Sequence, residues 1–215
     1  MQNKSDVYII GASGFGREIE SWVSLSENFK DRLSIKGFLD DNLEALNGFP
    51  SDYEVVSRID DFQFKSGDFV LLGIADPVIK EDIVNRLKDK VSFLSFVSDR
   101  AIIGKYVEIG EGTIIAPYCV LSNNILIGRF VTINVGTIIG HDSTISEFSS
   151  VMANVIVSGG VKLDKYVYIG NSATILPGKK VGNNTKISAG TVVISDLPSH
   201  SFVFGNPAKI IKRNL

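Results

Sequence analysis

From Ile103 to Val193 an aliphatic residue recurs at every sixth position without interruption. The series is Ile103, Ile109, Ile115, Leu121, Ile127, Ile133, Ile139, Ile145, Val151, Val157, Leu163, Ile169, Ile175, Val181, Ile187 and Val193. A period of six is neither the 3.6 of a helix nor the alternation of a long strand; it fits a chain that turns a corner after each short strand. The next place is often small, as at Gly104, Gly110, Ala116, Gly128, Gly140, Gly170 and Gly182. The third and fourth places carry turn residues, among them Glu111-Gly112, Asn123-Asn124, Gly159-Gly160, Pro177-Gly178 and Asn183-Asn184. The fifth is often small or β-branched, as at Val107, Thr113, Val131, Thr137 and Val155. Three such sides close a triangular coil of eighteen residues, and coils stack at the strand spacing of about 4.8 Å. The pattern predicts a parallel β-helix of about five coils, roughly 24 Å tall by the same spacing.

The first half has a different rhythm. Val7–Ile10 reads as a strand, GASGFG (Gly11 to Gly16) as a turn, and the stretch from about Arg17 to Leu25 as a helix. Ile35–Leu39, Phe69–Ala75 and Val91–Val97 read as further strands, and Pro77–Leu87 as a helix with Ile79, Ile83, Val84 and Leu87 on one face. Strands alternating with helices imply a small parallel sheet. The chain therefore divides into an α/β domain over 1–98 and a β-helix domain over 99–215.

Composition narrows the function. A net charge of -2 with no cluster of Lys and Arg argues against nucleic acid as a partner. No apolar run reaches membrane-spanning length, and MQNKSDVYIIGASG does not have the form of a signal peptide. One cysteine, Cys119, excludes an internal disulfide, and together these features point to the cytoplasm. Two histidines and one cysteine make a histidine-only or cysteine-rich metal site within one subunit an unfavourable reading; no metal is expected.

One of those histidines, His141, stands beside Asp142 in IIGHDS. In a straight strand neighbouring side chains point to opposite faces. These two occupy the third and fourth places of their hexapeptide, the corner, where alternation breaks and both side chains can face outward together. The eighteen-residue return sets Gly159-Gly160 one coil away, with room for a ligand and a backbone N–H for a developing oxyanion. A neutral imidazole accepts a proton at physiological pH, and an adjacent carboxylate orients the ring. His200, in DLPSHSF, belongs to no comparable pattern and reads as a surface residue. Phe130, Phe148 and Tyr166 fall eighteen apart at another corner and read as an aromatic ladder buried against a second subunit or the C-terminal tail.

GASGFG is Gly-x-x-Gly-x-Gly rather than the dinucleotide fingerprint, so it gives little support for NAD. It nevertheless joins a strand to a helix, a setting in which glycines let backbone approach phosphate. Asp40-Asp41 closes the second strand, where carboxylates meet a ribose or base. Ala75 and Asp76 close the third.

The hexapeptide rule, YIIGASGFG with GFLDDN, INVGTIIGHDSTISEF and the closing DLPSHSFVFGNPAKIIK together resemble the hexapeptide-repeat nucleotide-sugar acetyltransferases of the PglD, NeuD and perosamine N-acetyltransferase group. The resemblance implies a Rossmann-like α/β domain followed by a left-handed parallel β-helix, and a homotrimer. It also implies acetyl-CoA as cosubstrate and an amino sugar linked to UDP, dTDP or GDP as acceptor. It assigns the base to His141 with Asp142 as its partner. The nucleotide sugar falls to Gly11, Ala12, Ser13, Gly14, Asp40, Asp41, Ala75 and Asp76. Acetyl-CoA falls to Gly159, Asn171, Ser188, Ala189 and Lys209. Some relatives carry a second histidine nine places after the base; Ser150 stands there in this chain, with a hydroxyl expected to bond the cofactor. The function expected is N-acetylation of a nucleotide-linked 4-amino-4,6-dideoxy sugar for O-antigen, capsule or glycan synthesis. O-acetylation of a sugar of the sialic-acid type and a non-catalytic nucleotide-sugar-binding scaffold remain alternatives.

Overall fold

The computed structural model describes residues 4–212. The first half forms a five-stranded, all-parallel sheet in the order β3-β2-β1-β4-β5. Its strands are β1 (Ser5–Ile10), β2 (Leu33–Leu39), β3 (Val55–Ser57), β4 (Phe69–Leu72) and β5 (Ser92–Phe93). The helices are α1 (Gly14–Leu25), the single turn α2 (Glu27–Lys30) and α3 (Pro77–Leu87). Val7, Ile9, Ile10, Phe38, Leu39, Val70, Leu71 and Leu72 are all buried, as expected of a parallel sheet covered on both faces. β3 has only three residues and lacked a period to announce it. Val91–Val97, expected as one strand, is two. Ser92–Phe93 pairs with β4, whereas Phe96–Val97 pairs with Ile114–Ile115 in the β-helix.

The second half winds into a prism with three faces. The first face stacks six two-residue strands from Ile102–Ile103 to Val192–Val193, and the second stacks five, from Val107–Ile109 to Lys180–Val181. The third runs in parallel from Phe96–Val97 to Ser201–Phe204 and closes with the antiparallel Lys209–Lys212. Six rungs on the first face exceed the five coils expected, because Ile102–Ile103 and Val192–Val193 both complete a rung. Register follows the eighteen-residue return: Val120 pairs with Ile138, Ile138 with Ile156, and Ile156 with Thr174.

The six-residue aliphatics fill the interior; Ile115 to Val193 of that series are at most 1% exposed. Buried hydroxyls at the fifth place find carbonyls in the next coil. Thr113 Oγ1 donates to Gly128 O at 2.9 Å, Thr137 to Met152 O at 2.8 Å and Ser149 to Asp164 O at 3.0 Å, so these polar groups sit in the core with their donors satisfied; the buried Thr191 hydroxyl, at the same place of its hexapeptide, has no such partner. Every fourth place from Tyr106 to Gly190 has positive φ, including Asn124 (59°), Phe130 (57°), Asp142 (60°) and Phe148 (59°). Asn, Asp and Gly tolerate this conformation, and bulkier residues adopt it at a cost that packing must offset.

Packing does so at the corner between the second and third faces. Phe130 stacks on Phe148 (centroids 5.1 Å, 14°) and Phe148 on Tyr166 (5.6 Å, 9°). The ladder is covered by its own α/β domain, not by a second subunit or the tail. Phe93 meets Phe130 edge-on at 5.2 Å, and Tyr166 Oη donates to Glu81 Oε1 of α3 at 2.6 Å. That hydrogen bond, with burial, pushes the Tyr166 hydroxyl up to about 12. α3 buries Ile83, Val84 and Leu87 of the face expected, with one exchange: Ile79 is exposed, and Lys80 is buried in its place. Lys80 Nζ donates to Phe130 O (2.8 Å), Ser149 O (3.1 Å) and Thr132 Oγ1 (3.3 Å), pinning the helix to the β-helix backbone. Burial lowers its pKa to about 7, against a smaller opposing pull from Asp76.

Candidate active site

The corner between the first and second faces carries His141 and Asp142. With φ of 60°, Asp142 turns its side chain back alongside its neighbour, and Asp142 Oδ2 lies 2.7 Å from His141 Nδ1. The other carboxylate oxygen, Oδ1, accepts from Asn124 Nδ2 of the preceding coil at 2.6 Å. The Asn124 bond first, and the His141 bond second, hold the Asp142 carboxyl below the usual carboxylate range. The pair stays ionic on its aspartate side throughout neutral pH, which favours Nδ1–H on the ring and leaves the Nε2 lone pair outward.

The following coil places Gly159 directly against the ring. A Cβ built on Gly159 would lie 2.7 Å from both His141 Cε1 and Nε2, closer than real contacts allow. The Gly159 backbone is not in the left-handed region, so clearance for the imidazole, not φ, explains this glycine. Gly160, its neighbour at φ 70°, is the turn residue and donates its N–H to His141 O at 2.7 Å. Both side chains of the pair are mostly exposed, at 69% and 58%. His200 Nδ1 lies 3.4 Å from Asn184 Nδ2 on the surface, away from this corner. Cys119 is buried, and burial pushes its thiol up to about 11, which makes it unsuitable as a nucleophile. Among the described residues no group of three His, Cys, Asp or Glu is placed to hold a metal ion.

In the α/β domain the strand order reverses between β1 and β4, and the carboxyl ends of these strands define the crevice in which such sheets take ligands. Gly11 (φ 92°) closes β1; a Cβ there would meet Ile74 Cδ1 at 2.7 Å and Gly73 O at 3.0 Å, so the two strand ends are in contact. Ser13 and Gly14 are exposed at the start of α1, whose first turn has no side-chain cap. Asp40 and Asp41 serve this loop internally. Asp40 Oδ2 accepts from Ala12 N and Oδ1 from Asn42 N, both at 2.8 Å, whereas Asp41 Oδ1 accepts from Ile59 N at 3.2 Å. Asp76 caps α3 through Val78 N and Ile79 N, and its Oδ2 lies 3.6 Å from Lys186 Nζ of the third face. Lys186 reaches the crevice from the other domain; the expected site did not include it, because nothing local to its hexapeptide reveals which domain covers that face.

The expected cofactor residues lie on two different corners. Gly159 adjoins His141. Asn171, Ser188 and Ala189 line a cavity of ≈ 320 Å³ with Tyr168, Lys186 and Phe202, at the corner between the third and first faces. Lys209 is exposed on the closing strand. Ser150 does not fit the role expected of it. It is fully buried, and its hydroxyl donates to Ala75 O at 2.7 Å, so it ties the two domains together and presents nothing to a cofactor.

Residues 81–193, more than half of the chain, match the family described as the GMPPB C-terminal domain, and residues 6–87 match the PglD N-terminal domain. The chain belongs to the GMPPB C-terminal-domain family and, with its PglD-type N-terminal domain, to the hexapeptide-repeat nucleotide-sugar acetyltransferase group. WeeI from Acinetobacter baumannii AYE superimposes on this acetyltransferase-group chain with a TM-score of 0.84, at 29% identity over 95% of this chain and 99% of WeeI. PerB from Caulobacter crescentus, solved with CoA and GDP-perosamine, shares the fold with a TM-score of 0.80, at 22% identity and 98% coverage of both chains. Among curated relatives, YvoF of Bacillus subtilis (strain 168) is 41% identical over 73 residues, which are 34% of this chain and 42% of YvoF. The chain thus spans less than half the length of that relative. Among the described residues no helix of the acetyltransferase-group chain is long and apolar enough to cross a membrane.

Proposed function

We propose that this protein transfers the acetyl group of acetyl-CoA to the amino group of a nucleotide-linked 4-amino-4,6-dideoxy sugar destined for a surface glycan, with His141 as general base. The observation that carries this reading is the His141–Asp142 pair seated against a glycine kept free of a side chain. The ligands named for PerB, CoA and GDP-perosamine, support the same substrate classes for this chain.

The chemistry follows from the corner. The sugar amine attacks the thioester carbon, forming the C–N bond, and its proton passes to His141 Nε2. Asp142 stabilises the imidazolium so formed. The Gly159 N–H is our candidate donor to the tetrahedral oxyanion. Collapse breaks the C–S bond, and the leaving thiolate takes the proton from Nε2. The acceptor's nucleotide would lie in the crevice of Gly11 to Gly14 and Asp76, with Asp40 shaping the turn, Asp41 and Ala75 at its margin and Lys186 facing the diphosphate. Asn171, Ser188, Ala189 and Lys209 would serve acetyl-CoA.

One copy does not bring these parts together, since His141 and the Asn171–Ala189 cavity occupy corners on opposite edges of the first face. That face presents an apolar column outward: Ile102, Ile138 and Ile156 are 65%, 42% and 43% exposed. Packing three first faces around an axis would bury the column and set the His141 corner of one copy beside the cavity of the next. A homotrimer with sites between subunits is therefore part of the reading.

The test is thiol release from acetyl-CoA in the presence of UDP-, dTDP- and GDP-linked amino sugars and of sugars lacking a free amine. Turnover with at least one, abolished in His141→Asn while the oligomer persists, is expected. Turnover only with sugars lacking a free amine would replace the reading with O-acetylation, and no turnover with any acceptor would leave a binding scaffold.

A further inference from the structure

We propose that Asn124 is a positioning residue for the general base, holding Asp142 in the one orientation that fixes His141 in its base-competent tautomer. The proposal rests on the proposed acetyl transfer only for its kinetic consequence; its geometric content stands on the corner itself.

A carboxylate on a mostly exposed corner would ordinarily rotate and share its oxygens with water. Here each oxygen has a separate partner. Oδ1 takes the Asn124 amide at 2.6 Å, and Oδ2 faces His141 Nδ1 at 2.7 Å. Asn124 lies eighteen residues before Asp142, in the same place of its own hexapeptide, and both residues have left-handed φ, 59° and 60°. Their side chains are therefore stacked in parallel by the coil repeat, one carrying a donor and the other an acceptor. The backbone reinforces the register, since Asp142 N donates to Asn123 O at 3.1 Å. The result is a line across three coils: Asn124 amide, Asp142 carboxylate, His141 imidazole, and the clearing over Gly159.

An amide in this place has consequences that a carboxylate or an apolar residue would not. It donates a proton without adding charge, so it orders Asp142 while leaving the charge facing the ring at a single negative. The other ionisable groups flanking the corner are Glu108 and Tyr106, one coil before Asn124, and Lys162, one coil after Asp142, which line a cavity of ≈ 340 Å³ with Asn124 and Asp142. Asn124→Asp would put a second carboxylate against Asp142, raise the charge facing the ring and remove the orienting donor. Asn124→Gly would remove the donor alone. Both substitutions suit a left-handed backbone, which Ala would not, so neither change strains the turn.

The chain has two histidines, so ring resonances can be followed individually by nuclear magnetic resonance of the full-length oligomer labelled at histidine. His200→Asn, also compatible with its φ of 60°, assigns them. In the wild type the neutral His141 ring is expected with the proton on Nδ1. Asn124→Gly is expected to give a mixture of tautomers, and to lower kcat by roughly tenfold at unchanged KM for acetyl-CoA, the scale at which groups one bond behind a reacting side chain act. Asn124→Asp, which also removes the orienting donor, is expected to give a mixture of tautomers and a loss in kcat at least as large as that of Asn124→Gly. A His141 tautomer identical to wild type in both variants would overturn the proposal, whatever the activities. Ring signals that respond as expected in a protein that never consumes acetyl-CoA would uphold the clamp and remove the acetyl-transfer reading instead.

Discussion

Gly159→Ala separates the structural from the chemical role of the corner. The new Cβ would stand 2.7 Å from His141 Cε1 and Nε2, where ordinary contact begins near 3.4 Å. Something must move by about 0.7 Å, and the far end of an exposed side chain moves more readily than a coil backbone held on both sides by parallel ladders. The imidazole is displaced, together with its bond to Asp142. A misplacement of that size at a reacting atom costs roughly 10- to 100-fold in rate. The fold pays nothing comparable: the Gly159 backbone suits alanine, and a glycine-to-alanine change at a compatible site stabilises by about 0.4–1 kcal/mol through the unfolded chain. The expected outcome is an oligomer that melts at or slightly above the wild-type temperature, binds acetyl-CoA, and releases thiol 10- to 100-fold more slowly. Wild-type kcat in a well-folded Gly159→Ala protein would refute the placement of the reacting nitrogen over this glycine.

Other outcomes follow from the same geometry. Because burial lowers the Lys80 pKa from 10.5 to about 7, the folded protein holds fewer protons than the unfolded chain between those values. The contribution of Lys80 to stability therefore rises with pH from about 7 to about 10.5 and is lowest below that window; melting curves from about pH 7 to 9, below the range in which the raised Cys119 thiol acts oppositely, should show the rise in wild type and a flatter profile in Lys80→Met. Lys186→Ala should raise KM for the nucleotide sugar by roughly tenfold, the worth of one charge-assisted bond; an effect confined to acetyl-CoA, whose proposed cavity Lys186 also lines, would remove Lys186 from the crevice. Ile156→Glu places a charge in the apolar column of the first face, and light scattering should find monomers with no thiol release; a fully active monomer would disprove the shared site.

What the sequence made legible was what repeats. The six-residue aliphatics, the inward fifth place and the eighteen-residue return are properties of a local rule. They set His141 over Gly159 and Ile138 beside Ile156 before any contact is known. What escaped was what depends on docking. Lys80 sits in a helix whose spacing favours Ile79 as the buried neighbour; only the Phe130 and Ser149 carbonyls at a coil corner, which accept from its ammonium, make the lysine the better fit. Ser150 has the place of a cofactor residue in its hexapeptide, yet the α/β domain descends on that face and takes its hydroxyl. The aromatic ladder was visible as a ladder, but its cover was not, because Glu81 and Phe93 carry no mark of what they will meet. Asn124 looked like one more turn residue; that its amide faces the aspartate follows from the return only once both are known to be left-handed.

The separation of His141 from the Asn171–Ala189 cavity by a whole face has a statistical consequence. Each site would draw its base from one copy and its cavity from another. Two inactive proteins, His141→Asn and one with the cavity filled by Ala189→Trp, would then rescue each other when unfolded and reassembled together. At equal input about a quarter of the inter-subunit junctions would receive one intact half from each side. A mixture of two silent variants would regain about a quarter of wild-type thiol release under that same assortment, whereas sites contained within single chains would stay silent at every ratio.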